Sequence, residues 1–130
     1  MDVEMLSGIA FWNGGEYLPA EEEFENIWLT EVGPRRQCLR GLIHAAMGFH
    51  YLRMGDISSA RSKLSSASAI LARFAADFLG LDLDGLRAGI GAAQAALETV
   101  EGDGFFDLAG VPIPCLAPAT AAGMRHEGQP

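Results

Sequence analysis

Hydrophobic residues recur along the first hundred positions at intervals of three and four, and no alternating run of Val, Ile, Thr or Tyr reaches useful length. That spacing lines one side of an α-helix, so the chain reads as an all-α helical bundle. It predicts helices over about 2–13, 18–31, 35–54, 57–79 and 84–100. The gaps hold residues that stop helices: Gly14-Gly15, Gly33-Pro34, Gly55-Asp56 and Gly80. Asp56, and then Asp82 or Asp84, are N-caps whose carboxylates can take the free N–H groups of the helix that follows. Two antiparallel hairpins and a fifth helix result.

From about Gly102 the helical pattern gives way to a tail that holds four of the six prolines. The expected organisation is one helical-bundle domain over residues 1–101 and a Pro/Gly-rich tail over 102–130. Phe105, Phe106, Leu108 and Ile113 give the tail enough apolar surface to lie extended against the bundle, whereas its last dozen residues read as disordered.

The second helix breaks the simple pattern. In YLPAEEEFENIW, Glu21, Phe24, Glu25 and Trp28 share one face, so two acids lie on the apolar side. Glu22 and Glu23 are explained as solvated groups that complement the positive end of the helix, with Pro19 in its first turn. On the third helix Leu39, Ile43, Ala46, Met47, His50 and Met54 make the apolar stripe, with His44 to one side. Buried polar groups must find partners or cost about 1–3 kcal/mol each. Glu21 and Glu25 are therefore expected to face His50, His44 or Arg40 as a polar network.

A shift of forty residues lays the chain on itself: Gly8, Phe11, Gly15, Ala20 and Phe24 match Gly48, Tyr51, Gly55, Ala60 and Leu64. The spacing resembles the helix-turn-helix unit of tetratricopeptide repeats, in which small residues let two helices approach and a bulky one fills the groove between them. Two stacked hairpins follow from it, as architecture or as a peptide-binding groove.

FWNGGEYLPAEEEFENIW and RGLIHAAMGFHYLRMGDISSAR together resemble the bacterial and archaeal family known as domain of unknown function 309, over about residues 9–90. Asn13, Tyr17, Glu22, Glu25, Trp28, Gly41, Leu42, Ile43, Ala45, His50 and Gly55 agree with its pattern. The resemblance implies an all-α bundle and brings no established activity. Glu21 stands where the family has His, His44 where it has Gln, and Asp56 where it has Asn. An imidazole lost from the second helix and gained on the third implies that Glu21 and His44 face each other.

Composition narrows the functional classes. Seventeen acidic against nine basic residues give a net charge of -8, which repels phosphate backbones and argues against nucleic acid. The start MDVEMLSG has neither the basic region of a signal peptide nor the arginines of a transit peptide, and charged residues or His interrupt every apolar run that could span a membrane. A soluble cytoplasmic protein is expected, without membrane attachment. Cys38 and Cys115 read as two reduced thiols, with no zinc spacing.

No catalytic motif is framed. Glu-x-x-His is absent, so a paired-iron bundle site is not encoded. The serines at 58, 59, 62, 65, 66 and 68 lack a nucleophile elbow, and RAGIGAAQAA follows no strand. Trp28 reads as a core anchor and Trp12, beside the Gly14-Gly15 turn, as exposed. The expectation is a non-catalytic interaction or scaffolding module, with no cofactor, that binds a protein partner or self-associates as a homodimer through helix faces. The alternative is a small-molecule or single-metal pocket, with or without catalysis, built from Glu21, Glu25, His44 and His50.

Overall fold

A computed structural model of the protein describes residues 2–100 and 111–119. Five α-helices follow in order: α1 (Val3–Asn13), α2 (Tyr17–Thr30), α3 (Gly33–Met54), α4 (Ile57–Leu71) and α5 (Leu83–Leu97). A short 3-10 turn at Phe78–Gly80 precedes α5. Each helix packs on its neighbours in sequence, so α1–α2 and α3–α4 are two stacked antiparallel hairpins and α5 adds to the second. The described residues contain no strand, and among them no helix is long and apolar enough to cross a membrane.

Capping accounts for the helix starts. Asp2, Asp56 and Asp82 accept from the backbone N–H of Met5, Ser59 and Gly85 at 2.9, 3.1 and 3.0 Å. Each satisfies a donor that the first turn leaves free. The ends are met in two ways. After α1 and α3 the chain turns through Gly15 and Gly55, at φ of +81° and +82°, the left-handed region that glycine enters without penalty. After α2, α4 and α5 an arginine donates to carbonyls at the helix end, beside the backbone N–H groups that already reach some of them. Arg36 Nε donates to Trp28 O, Arg87 to Leu71 O and Phe74 O, and Arg61 to Leu97 O and Val100 O.

That device explains why α4 stops at Leu71 rather than continuing to 79. ARFAADFL is good helix sequence, but Arg87 from α5 holds the carbonyls of Leu71 and Phe74 at 2.8 Å each and closes the helix there. Leu79 and Gly80 then both take positive φ and turn the chain into α5.

The core runs through all five helices: Met5, Trp12, Phe24, Leu39, Phe49, Leu64, Leu71 and Ile90 are each 2% exposed or less. The stripe expected on α3 needs correction. Because α3 packs against both α2 and α4, its buried arc is wide and includes Cys38, Leu42, Ala45, Gly48, Phe49 and Leu52. Ile43, Met47 and His50 lie half-buried at its margin, and Met54 is exposed.

The two tryptophans exchange the roles expected of them. Trp12 is 1% exposed and forms edge contacts with Tyr17 and Phe49, ring centres 5.6 Å away in each case. Trp28 is only half-buried against the core. Trp12 is covered by residues 111–119, a strap that crosses α1 and α5 and to which its indole N–H donates. Ile113 packs partly buried there, whereas Phe105, Phe106, Leu108 and the last dozen residues lie outside the described residues.

Candidate functional site

Glu21 sits on the buried side of α2 at 9% exposure. Burial pushes its carboxyl up to about 7, helped by a hydrogen bond and charge from Glu25 and then by the charge of Glu22. Desolvation and a neighbouring carboxylate both disfavour the ionised form. Glu21 can therefore keep its proton near neutrality, one helical turn from Glu25.

The expected network with α3 does not close. Among the described residues the ion pairs are Glu31–Arg35 and Asp84–Arg87, so none joins Glu21 or Glu25 to Arg40, His44 or His50. The charges that act on Glu21 are those of Glu25 and Glu22, whereas those on His44 are Lys63 of α4 and Arg40. No ion pair joins Glu21 to His44, the positions whose residue types are exchanged, among the described residues.

His44 is half-buried, its Nδ1 buried without a hydrogen-bond partner, and burial followed by Lys63 and Arg40 holds its pKa below the usual imidazole value. His50, also half-buried, packs its ring 5.7 Å from that of Tyr51. Among the described residues no three His, Cys, Asp or Glu side chains are grouped to hold a metal ion. The thiols are both free; buried Cys38 is pushed up to about 12 by desolvation, and Cys115 is exposed.

The structure does bring together Glu25, Trp28, Arg40 and Ile43, which line a concavity of about 210 Å³ between α2 and α3. A second, of about 240 Å³, shares Trp28 and Arg40 and adds Arg36 and Gln37. A third, of about 280 Å³, is lined by Glu22, Glu25, Asn26 and Leu29. Trp28 lines the first two, with the Arg36 guanidinium 3.8 Å over its ring, an arrangement that is favourable through the ring quadrupole. The outcome is an amphipathic face: an apolar floor of Trp28 and Ile43, acids along α2, arginines along α3, and Leu29 and Val32 exposed at one end.

The remaining motif positions take part in packing and hydrogen bonds. Gly41 lies against Leu71, where a Cβ would come within 2.7 Å, and so lets α3 and α4 approach. Tyr17 is buried against Trp12 and Phe49; burial raises its phenol pKa, which Arg53 opposes. Asn13 holds the strap, a role sequence reasoning missed because its partner, Leu116, lies 103 residues away.

Fold and site together define a small stacked-hairpin helical protein with an amphipathic α2–α3 face. Residues 5–62, from α1 into α4, match the family model described as Domain of unknown function (DUF309), and this part of the chain belongs to that family. An uncharacterized protein of Aquifex aeolicus is 32% identical over 89 residues, which is 67% of this chain and 27% of that relative.

Proposed function

We propose that the chain is a non-catalytic protein-interaction module that pairs with a second copy of itself across the α2–α3 face. The observation that carries this reading is the opposite charge of the two edges flanking Trp28: Glu22 and Glu25 on α2, Arg36 and Arg40 on α3. A two-fold axis parallel to the helices lays each acidic edge on the basic edge of the other copy, so the face is complementary to itself. Trp28, Ile43 and the exposed Leu29 supply apolar surface for such a contact, with the aromatic and arginine character typical of interface anchors.

Sedimentation equilibrium tests it. The expected result is a dimer that Arg40→Glu weakens about ten-fold or more and that Glu25→Arg, added to Arg40→Glu, restores. A chain that stays monomeric at every concentration, or a double reversal without rescue, overturns the proposal.

A small-molecule pocket is the second reading, favoured by one observation: Glu21 titrates near neutrality against Glu25, which lines the concavity of about 210 Å³. Native mass spectrometry of protein purified without added metal or affinity tag separates the two. A retained ligand that is lost in Glu25→Gln supports the pocket, and a dimer carrying none supports the interface.

A further inference from the structure

Residues 111–119 run extended across two elements distant in sequence. Trp12 Nε1 donates to the Pro114 carbonyl at 2.7 Å. The Asn13 amide closes on Leu116 from both sides, Nδ2 donating to its carbonyl at 3.0 Å and Oδ1 accepting its N–H at 2.8 Å. Farther along, the Asp82 N–H donates to Ala117 O at 2.8 Å, and Leu81 forms an isolated antiparallel bridge with Pro118.

These contacts read main chain. A carboxamide that takes both the N–H and the C=O of one residue recognises extended backbone whatever the side chain, and backbone pairing at an edge is a recurring way to hold a peptide. Side chains enter at four places. Val111 and Leu116 are buried, Ile113 is partly buried against the core, and the Pro114 ring lies over Gly89 of α5, where a Cβ would come within 2.3 Å. Pro112, Cys115 and Pro118 are exposed. The site therefore selects an extended Val-x-Ile-Pro-x-Leu segment, and proline lowers the entropic cost of holding one straight.

Trp12 and Asn13 fall inside the stretch that matches the family, residues 5–62, whereas Leu81, Asp82, Gly89 and the strap fall outside it. We infer that the channel between the C-terminal end of α1 and α5 is a docking groove for an extended, proline-containing segment of another protein, which residues 111–119 occupy as a built-in competitor. Because the strap is tethered, its effective concentration is on the order of millimolar, so an incoming segment binds only when it is presented at high local concentration or by a partner with a second contact.

The probe is a fluorescein-labelled peptide of residues 111–119 with serine in place of Cys115, followed by anisotropy. It is added to the full natural chain and to a full chain carrying Pro114→Asp and Leu116→Asp, which empties the groove. The expected result is binding to the variant about ten-fold or more tighter than to the natural chain, with the gain removed when Asn13→Ala is added. No binding by a variant that keeps a cooperative melt, or binding indifferent to Asn13→Ala, overturns the inference. Should the double variant not fold, hydrogen exchange on the natural chain decides. Leu116 and Asp82 N–H groups that exchange well before those of α3 show a strap that opens separately. Exchange only together with α3 makes the strap a fixed part of the core and overturns the inference.

Discussion

The two hairpins repeat each other atom for atom at their turns and differ almost everywhere else. In the first, Glu16 N–H donates to Phe11 O at 2.8 Å and Gly15 N–H to Trp12 O at 2.9 Å; in the second, Asp56 N–H donates to Tyr51 O at 3.0 Å and Gly55 N–H to Leu52 O at 3.1 Å. Each pair is forty residues from its counterpart. The close approach repeats as well. A Cβ on Gly8 would come within 2.4 Å of the Phe24 ring, and one on Gly48 within 2.6 Å of the Leu64 side chain. The divergence lies on the second helix of each hairpin. Where α2 carries Glu21, Glu22, Glu25 and Trp28, α4 carries Arg61, Ser62, Ser65 and Ser68. A hairpin is thus specified by one glycine, one bulky residue and one turn, and the other positions answer to what lies beside them. Arg61 reaches the end of α5, whereas the acids of α2 border an open face.

The strongest way to break this equivalence is to empty both grooves. Phe24→Ala should cost about 3–5 kcal/mol and Leu64→Ala about 2–5 kcal/mol in urea unfolding, because both side chains are fully buried. A small loss at either would show that only one hairpin depends on its bulky residue.

Glu21 and its counterpart Arg61 give the next largest contrast. Burial raises the Glu21 carboxyl from 4.5 to about 7, so the folded state holds the proton more tightly than the unfolded chain. The stability this gives is fully present below pH 4.5 and is lost as pH rises through 7. Glu21→Gln cannot ionise and should exceed the natural chain in stability above pH 7 by up to roughly 3 kcal/mol, at about 1.4 kcal/mol per unit, with the gap closing toward pH 4.5. Parallel melting curves at all pH values would refute it.

Filling the close approaches tests the repeat from the opposite side. Gly8→Ala and Gly48→Ala should each destabilise by about 1–3 kcal/mol through overpacking. Gly91→Ala, on α5 with nothing within 4 Å, should instead stabilise by about 0.5–1 kcal/mol through lower chain entropy. The smallest contrast is at the second caps: Asp56→Ala should cost about 1 kcal/mol. Glu16, which makes no capping bond, should tolerate Ala with little change in melting temperature.

The legible part of this molecule was its local and periodic part. The five helix starts and the forty-residue register could be read because a cap, a turn and a small-to-large contact each involve residues close in sequence. So could the burial of Glu21, although the same period put Glu25 on the apolar side and Glu25 is exposed. Two of the errors share one cause, a partner brought from far along the chain. Arg87 ends α4 at Leu71, and the strap covers Trp12 from 102 residues away. The candidate network failed for a related reason: periodicity shows which side of a helix a residue takes, but not its height along the neighbouring helix. His44 thus shares its surroundings with Lys63 and Arg40 rather than with Glu21.

Arg61 on α4 and Arg87 on α5 each close the other helix's end, and this reciprocity sets an order in time. As the chain leaves the ribosome, the end of α4 has only local backbone donors, and the side-chain donor to Leu71 O and Phe74 O is missing until Arg87, 16 residues after Leu71, has been added. Arg61 in turn waits 36 residues for Leu97 and 39 for Val100. A nascent chain arrested between Leu71 and Arg87 should therefore have a settled first hairpin and a frayed second one, and completion of α5 should fix both ends together.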